Sequence, residues 1–347
     1  MTVGETYKKA GVDILAAEKA KNRIARLAKE TFTPDVMSEI GAFGGVFRFP
    51  SGSDNLLLAS ADGVGTKTKV ASAAGIYNTV GRDLVNHCVN DLLVHGAEPL
   101  FFLDYIGYAN LEPERVAEIV EGLSIACRRN GLALIGGETA QMPGVYSSGD
   151  FDLVGFIIGK TTENALIDGS KIRPGDKLIA LSSNGLQTNG YSLARMVLLD
   201  SGKFKLDDTP KILNGVTVGE ALLAIHPSYR AQVGSLLSTE VEVHGMAHIT
   251  GGGIQGNLIR VLPDGCAARV DLSDVKIPSI FELIRREGNI PPDEMYRVFN
   301  MGVGYLLVVP DKRISEALVL LNGAGAAAVR CGEIVEGEKS VTLRRTV

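Results

Sequence analysis

The chain has 347 residues, of which 45% are hydrophobic and 22% charged, and it carries a formal net charge of −5. That length exceeds one ordinary core, so two domains are expected. The acidic balance excludes a nonspecific nucleic-acid binder, which needs a basic face, while leaving room for a local positive pocket. Cys88, Cys127, Cys266 and Cys331 form no C-x-x-C pair, which argues against a zinc or disulfide framework and for a reducing compartment. No stretch reaches the roughly 18 apolar residues of a membrane helix, and the N-terminus has no signal-peptide core. A cytoplasmic protein with no membrane and no nucleic-acid partner is expected.

In chain order, residues 13–30 read as an amphipathic helix, and "NLLLASAD" reads as a buried strand ending at Asp62. Residues 79–95 read as a helix with Thr79 as N-cap, whose apolar positions leave Asp83, His87 and Asp91 as a polar stripe, and Asp91 taken alone reads as a solvated helix residue. "PLFFLDYIGY" is the next strand. Residues 112–131 form a helix with Pro113 at its start and Gly131 at its end. "LALIGG" is a strand running into Glu138, and "FDLVGFIIGK" another. A Pro-Gly turn before "DKLIALSS" places a boundary near residue 170. Helices follow at 189–200, 217–226, 229–238, 253–261, 278–287 and 311–322. They alternate with strands at 241–248, 267–272 and 303–309 and with terminal strands. This pattern is an α/β (α+β layered) protein of two domains, each a mixed β-sheet covered by helices.

Four glycine clusters follow apolar runs: "SADGVGTK" (60–67), "IGGETAQMPG" (135–144), "SSNGLQTNGYS" (182–192) and "AHITGGG" (247–253). Glycine at a strand end lets backbone N–H groups converge on an anion, and a following helix adds its dipole. The last two clusters carry no acid and suit phosphate. The first is not a P-loop, because Thr66 separates Gly65 from Lys67 and Asp62 stands at its mouth. Asp62, Asp91 and Glu138 together form a carboxylate set suited to magnesium, which takes oxygen ligands and bridges acids to phosphates. His87 and His95 read as surface or helix-packing residues. His244 and His248 share a strand face by period two, where one wet-face histidine is favoured over a metal pair. The residues alone reach a cytosolic two-domain enzyme that uses Mg-nucleotide.

"YKKAGVDI", "SADGVGTK", "VNDLLVHGAEPLFFLDY", "GGETAQMPG", "TNGYSLAR", "HITGGG" and "FNMGVG" occur in this order. Together they closely resemble the phosphoribosylformylglycinamidine cyclo-ligases, the aminoimidazole ribonucleotide synthetases of purine biosynthesis. The resemblance implies ATP-dependent closure of formylglycinamidine ribonucleotide to 5-aminoimidazole ribonucleotide through a phosphorylated amide, with ADP and phosphate as products. It implies an N-terminal ATP/Mg-binding and dimerisation domain (1–170) and a C-terminal substrate domain (171–347). It also implies a homodimer whose N-terminal sheets pair into a β-barrel. Carried over by position, Asp62, Asp91 and Glu138 hold magnesium. Lys8, Asp13, Gly63, Gly65, Thr66, Lys67, Gly136, Gly137 and Thr139 contact nucleotide. Asn189, Gly190, Ser192, Thr250, Gly251, Gly252 and Gly253 face the small ribonucleotide substrate or the transferred phosphate. Lys67, Asn189 and His248 are the implied catalytic groups, and a requirement for potassium stays open.

Two departures matter. Many relatives carry histidine where this chain has Gln187, which hydrogen-bonds but does not titrate near neutral pH. "AIHPSYR" also differs from the commoner "P-T-R-I-Y" form, so His226 is assigned no role. Selenophosphate synthetases, thiamine-monophosphate kinases and the hydrogenase maturation dehydratase share the superfamily. Against them stand the absence of any cysteine before Cys88, the terminal "RRTV" and the "GGETAQMPG" form. A nucleotide-binding scaffold without turnover is disfavoured by the three acids and Lys67.

Overall fold

The computed structural model describes residues 8–9, 25, 27–39, 41–49, 54–110 and 112–344. The expected helix at 13–30 therefore lies largely outside the described residues. Asp13 does too, whereas Lys8 is helical and exposed.

Two mixed sheets organise the chain. The first contains β1 (Gly45–Arg48), β2 (Asn55–Gly63), β3 (Glu98–Tyr108), β4 (Ala133–Gln141) and β5 (Phe151–Thr162), in the order β1-β2-β5-β3-β4. Only the β3–β4 pair is parallel, joined by the crossover helix α3 (Pro113–Arg129). Helices α1 (Lys67–Ala74) and α2 (Asn78–Leu93) precede it. Burial alternates strictly along β5: Phe151, Leu153, Gly155, Ile157 and Gly159 face inward. This period-two pattern buries one face. Gly155 is required there, since a Cβ would stand 2.3 Å from the Phe102 ring and 3.0 Å from Leu84 of α2.

The second sheet contains β6 (Lys177–Ser182), β7 (Gly245–His248), β8 (Cys266–Asp271), β9 (Val303–Val309), β10 (Ala328–Glu336) and β11 (Ser340–Arg344). Its order is β11-β8-β10-β6-β9-β7, with only β8–β11 parallel. Helices α4 (Tyr191–Arg195, continued by a π-helical turn to Asp200), α5 (Val218–Leu222), α6 (Arg230–Leu237), α7 (Gly253–Leu258), α8 (Ser279–Gly288), α9 (Pro292–Val298) and α10 (Ile314–Gly323) accompany it. All seven residues of β9 are buried, as its continuous apolar run requires.

Several local expectations change. The strand after α3 runs through Glu138 to Gln141, so "GGETAQ" is edge strand rather than a strand-end loop. The N-cap of α2 is Tyr77, not Thr79, whose hydroxyl is buried without a partner. The expected strand 241–248 pairs only over Gly245–His248. Helix α5 stops at Leu222, leaving Leu223–Tyr229 irregular. Helices α1 and α9 and strand β1 have no sequence-level counterpart.

The largest change concerns the polar stripe of α2. Asp83, His87, Asn90 and Asp91 are all buried: Asp83 and Asn90 meet the irregular segment after α5, while His87 and Asp91 meet Thr188 and His248. An irregular buried backbone must find hydrogen-bond partners outside a helix or sheet. Asn86 Nδ2 donates to the His226 carbonyl (2.7 Å) and Asp83 Oδ1 accepts the His226 N–H (2.6 Å). Asn90 donates to the Pro227 carbonyl and accepts the Tyr229 N–H, both at 2.9 Å. Lys67 completes the seam, donating to the Ala224 carbonyl (2.8 Å) and pairing with Asp83 at 2.7 Å. The stripe is an interdomain seam, not a wet face.

Burial pushes the Asp83 carboxyl up and the Lys67 ammonium down, each opposed by the other's charge. Removing one member of such a pair strands the other, at a cost of about 3–5 kcal/mol. Lys67→Met is therefore expected to lower the free energy of urea unfolding by that amount. Adding Asp83→Asn should recover a substantial part. A Lys67→Met protein with wild-type stability and reduced turnover would instead return Lys67 to the substrate.

Candidate functional site

Strand β2 delivers Asp62 to the mouth of the interdomain cleft. Its side chain is 46% exposed, with Oδ1 accepting the Gly63 N–H at 2.7 Å and Oδ2 2.8 Å from His87 Nε2. Gly65 follows with φ +54°, a left-handed turn that glycine adopts without strain. Thr66 then precedes α1 without capping it. Its hydroxyl shares a 3.1 Å hydrogen bond with Ser192, joining the first glycine cluster to the third across the two domains.

Lys67 does not join them. Its side chain is fully buried, pointing the other way to Asp83, the Ala224 carbonyl and the Gln187 carbonyl. The expectation that it neutralises phosphate is corrected: a residue at the start of α1 points into the seam, not toward the cleft that Thr66 faces.

The third cluster arrives as a tight turn. Gln187 has φ +65°, and its side-chain amide donates to the Tyr229 hydroxyl (3.1 Å). Gly190 has φ +79°, and a Cβ there would lie 2.2 Å from the Phe299 ring, so only glycine fits. Asn189 Nδ2 donates to the Thr188 hydroxyl (3.3 Å). The fourth cluster meets it: a Cβ on Gly251 would be 3.2 Å from Asn189 Oδ1. Asn257 of α7 pins this loop through the carbonyls of Thr250, Gly251 and Gly253. The amides of Gly251 and Gly252 are left without a partner among the described residues. Thr250 bonds Asn257 Oδ1 at 3.1 Å. Asp62, Gly63, Gly65, Thr66, Asn189, Gly190, Ser192 and Thr250–Gly253 thus converge.

Glu138 does not converge with Asp62 and Asp91 within one chain. Asp62 pairs with Gly155, Gly155 with Asp104, and Asp104 with Gly137, so these four residues share one sheet face. Glu138, one residue on, lies on the opposite face and three strand spacings away, roughly 14 Å. Gly136 and Thr139 occupy the same exposed edge strand. Gly137 is needed for packing, since a Cβ would lie 2.5 Å from Asp104 Oδ1.

Beneath Asp62 lies a group the sequence did not disclose: His87, His226 and His248, all buried. His87 Nδ1 is 2.7 Å from the Thr188 hydroxyl and its Nε2 3.6 Å from Asp91. His248 Nδ1 is 2.8 Å from Asp91 Oδ1, and its Nε2 is 3.0 Å from His226 Nε2. His226 Nδ1 closes the circuit, 3.5 Å from Thr188 Oγ1. Expecting a wet-face His248 is corrected: it is fully buried. His244 is separate, held 2.7 Å from Asp176. Two of its members had a signal: the resemblance implied His248, and His87 stands at helical spacing from Asp83 and Asp91. His226 lies on irregular chain and gave none.

The three imidazoles differ in charge. Burial opposes charge on His87, but Asp62 and Asp91 outweigh it and raise its pKa to about 9. Burial raises Asp62 in turn, yet His87 and the Gly63 N–H more than offset it, bringing the carboxyl down to about 2. Burial holds His248 below its usual value against the pull of Asp91. It holds His226 lower still, with His248 and His87 adding to the effect. Near neutral pH, His87 is an imidazolium donating to Asp62 and Thr188, whereas His226 and His248 are neutral. His226 Nε2 lies between two groups, 3.0 Å from His248 Nε2 and 3.2 Å from the Asn90 amide nitrogen.

A group whose folded pKa is raised contributes stability that is complete below its ordinary value and lost as pH rises through the folded one. The stability gap between the wild type and His87→Gln should therefore be widest below pH 6.5 and shrink as pH climbs through about 9. Urea unfolding at a series of pH values measures it. A gap independent of pH would show that His87 is neutral in the fold.

Comparison with known proteins bears on this arrangement. Models of the AIR synthase related protein match residues 41–161 (N-terminal domain) and 173–344 (C-terminal domain). The phosphoribosylformylglycinamidine cyclo-ligase of Myxococcus xanthus (strain DK1622) is 48% identical, over 98% of this chain and 99% of its own. That of Trichlorobacter lovleyi (strain ATCC BAA-1151 / DSM 17278 / SZ) is 45% identical over 97% of each. Among solved structures, AaThiL complexed with AMPPCP and TMP superposes with a TM-score of 0.64 over 92% of each chain, at 16% identity. Thiamine-monophosphate kinase from Stenotrophomonas maltophilia K279a does so with a TM-score of 0.63 at 17% identity, over 91% of this chain and 93% of its own. These two share the fold. The near-full-length identity to the cyclo-ligases goes further: the chain belongs to the phosphoribosylformylglycinamidine cyclo-ligase family.

Proposed function

We propose that this enzyme uses ATP to close formylglycinamidine ribonucleotide into 5-aminoimidazole ribonucleotide, releasing ADP and phosphate. The observation that carries the reading is the convergence, across the domain boundary, of the Asp62 loop with the Asn189–Ser192 and Thr250–Gly253 loops. The chemistry explains the need for ATP. An amide carbonyl is a poor electrophile, so its oxygen attacks the γ-phosphorus and the bond to ADP breaks. The amidine nitrogen then forms its bond to the activated carbon, gives up a proton, and the C–O bond breaks to release phosphate. Such a reaction asks the protein mainly for positioning and charge neutralisation.

The unpartnered amides of Gly251 and Gly252 and the hydroxyls of Thr66 and Ser192 suit phosphate oxygens. Magnesium fits Asp62 and Asp91, two carboxylates that share His87 with one of them open to the cleft, and when bound it would offset triphosphate charge. Lys8 of the N-terminal segment is a proposed nucleotide contact. Of the three imidazoles, only neutral His226 and His248 are able to take up a proton. His248, backed by Asp91, is the stronger base, and His226 and Thr188 link it toward the cleft.

A homodimer belongs to the same reading. The face of the first sheet away from α2 carries Leu103, Tyr105, Val154, Phe156 and Ile158, and Phe156 is 43% exposed. The edge strand β4 exposes Ile135. An apolar open face with an uncovered edge calls for a second layer, which a second copy's N-terminal sheet would supply. We place the domain boundary near residue 170 and the enzyme in the cytoplasm.

Phosphate should be released from ATP only when formylglycinamidine ribonucleotide is present. Substrate-independent release, or none, would overturn the reading. Asp62→Asn takes the nearest counter-charge from buried His87, so it should cost stability at pH values below about 9, while lowering turnover on the order of a hundredfold and raising the magnesium requirement. Asp91→Asn is a poorer test, because Asp91 is buried against His248 and its loss unsettles the fold too. Phe156→Glu should convert the dimer to a monomer in light scattering. An unchanged mass would place the interface elsewhere.

A further inference from the structure

A cavity of about 620 Å³ lies between the start of α2, the end of α3 and the start of α6. Arg82, Arg128, Arg129 and Arg230 line it. None of the cleft loops reaches it, and of the residues discussed so far His226 touches both places. Its floor is satisfied: Asn130 donates to Asn86 Oδ1 (2.9 Å), and the Ser228 hydroxyl donates to Asn130 Oδ1 (2.6 Å). Its charge is not. Among the described residues no carboxylate lies within ion-pair distance of any of the four guanidiniums, although the chain as a whole is acidic. Among the described residues Arg128 donates only to Ser124 Oγ, at 2.5 Å.

Arg128 and Arg129 stand in the last turn of α3, where a cation complements the helix dipole. That accounts for two of the four. Arg230 is the first residue of α6, and Arg82 lies near the start of α2. Arg82 is the fifth residue of α2, past its first turn, and the Arg230 guanidinium reaches back to the C-terminal end of α3, where a Cβ on Gly131 would lie 3.1 Å from its Nη1. Burial and the charge of Arg129 hold the Arg82 guanidinium below its usual value, against a smaller opposing pull from Asp83. Crowding like charges around a concave surface is favourable once an anion sits between them. Three of the arginines come from the first domain and Arg230 from the second, so such an anion would tie the domains together directly over the seam. The volume is that of a small-molecule site.

We propose that this cavity is a second binding site, taking a small molecule that carries phosphate groups and bridging the two domains through Arg82, Arg128, Arg129 and Arg230. Inorganic pyrophosphate is a suitable probe, titrated calorimetrically into the full chain without magnesium. A binding component is expected whose Kd rises at least tenfold in Arg82→Gln/Arg230→Gln and weakens steeply with added salt. It should persist in Ser192→Ala/Asn189→Ala, which alters the cleft. The exposed Arg129→Gln, with its melting temperature checked, should weaken the same component. This keeps the test independent of any folding defect in the double variant. Absence of binding overturns the proposal. So does binding that the cleft variant abolishes and the arginine variants leave intact.

Discussion

The structure depends on how one irregular stretch of chain, Leu223–Tyr229, satisfies its backbone. Helix α5 ends at Leu222 and α6 begins at Arg230, so the peptide groups between them have neither helix nor sheet. The polar stripe of α2 substitutes for both. Asp83, Asn86 and Asn90 meet the amides and carbonyls of His226, Pro227 and Tyr229 one by one. Each unmade bond at so buried a place would cost about 1–3 kcal/mol. The seam therefore sets the relation of the domains more sharply than an apolar contact would, because hydrogen bonds specify direction as well as distance.

The same helix face carries the chemistry. One turn separates Asp83, which anchors the seam, from His87, and one more separates His87 from Asp91. His226 is held by its backbone on Asp83 and Asn86 while its ring meets His248. Structural and functional hydrogen bonds thus run through the same residues. Any motion between the domains would part the His87 and Asp91 pair from His226 and His248, and part Thr66 from Ser192.

Charge placement explains the separate fates of the basic groups. Lys67 is neutralised inside the seam by Asp83 and is lost to the cleft. His87 takes up a proton because two carboxylates flank it, leaving the other two imidazoles neutral. Guanidiniums with no carboxylate in ion-pair distance among the described residues gather instead around the cavity of Arg82, Arg128, Arg129 and Arg230, on the far side of His226.

Local chemistry was enough to reveal much of this. Alternating apolar runs and caps marked most strands and helices. Strand–glycine junctions marked the loops holding Asp62, Asn189 and Gly251, because a tight turn or a close approach leaves a compositional trace. Seven ordered motifs pointed to the family. What sequence could not show depends on contacts between segments distant in the chain. Lys67 and Thr66 are neighbours facing opposite ways, and no periodicity tells which one meets Asp83, 16 residues on, and which meets Ser192, 126 residues on. Glu138 stood beside glycines like Asp62 did, but strand order placed it across the sheet and pleating turned it to the other face. A polar stripe reads alike whether it faces water or a second domain, and only packing decided that α2 faces the domain. Composition and periodicity determined which elements form and which glycines turn; the tertiary structure alone decided which side chains are buried together, and there the neighbouring Asp62 and Asp91 charge His87 against its burial while burial leaves His248 neutral.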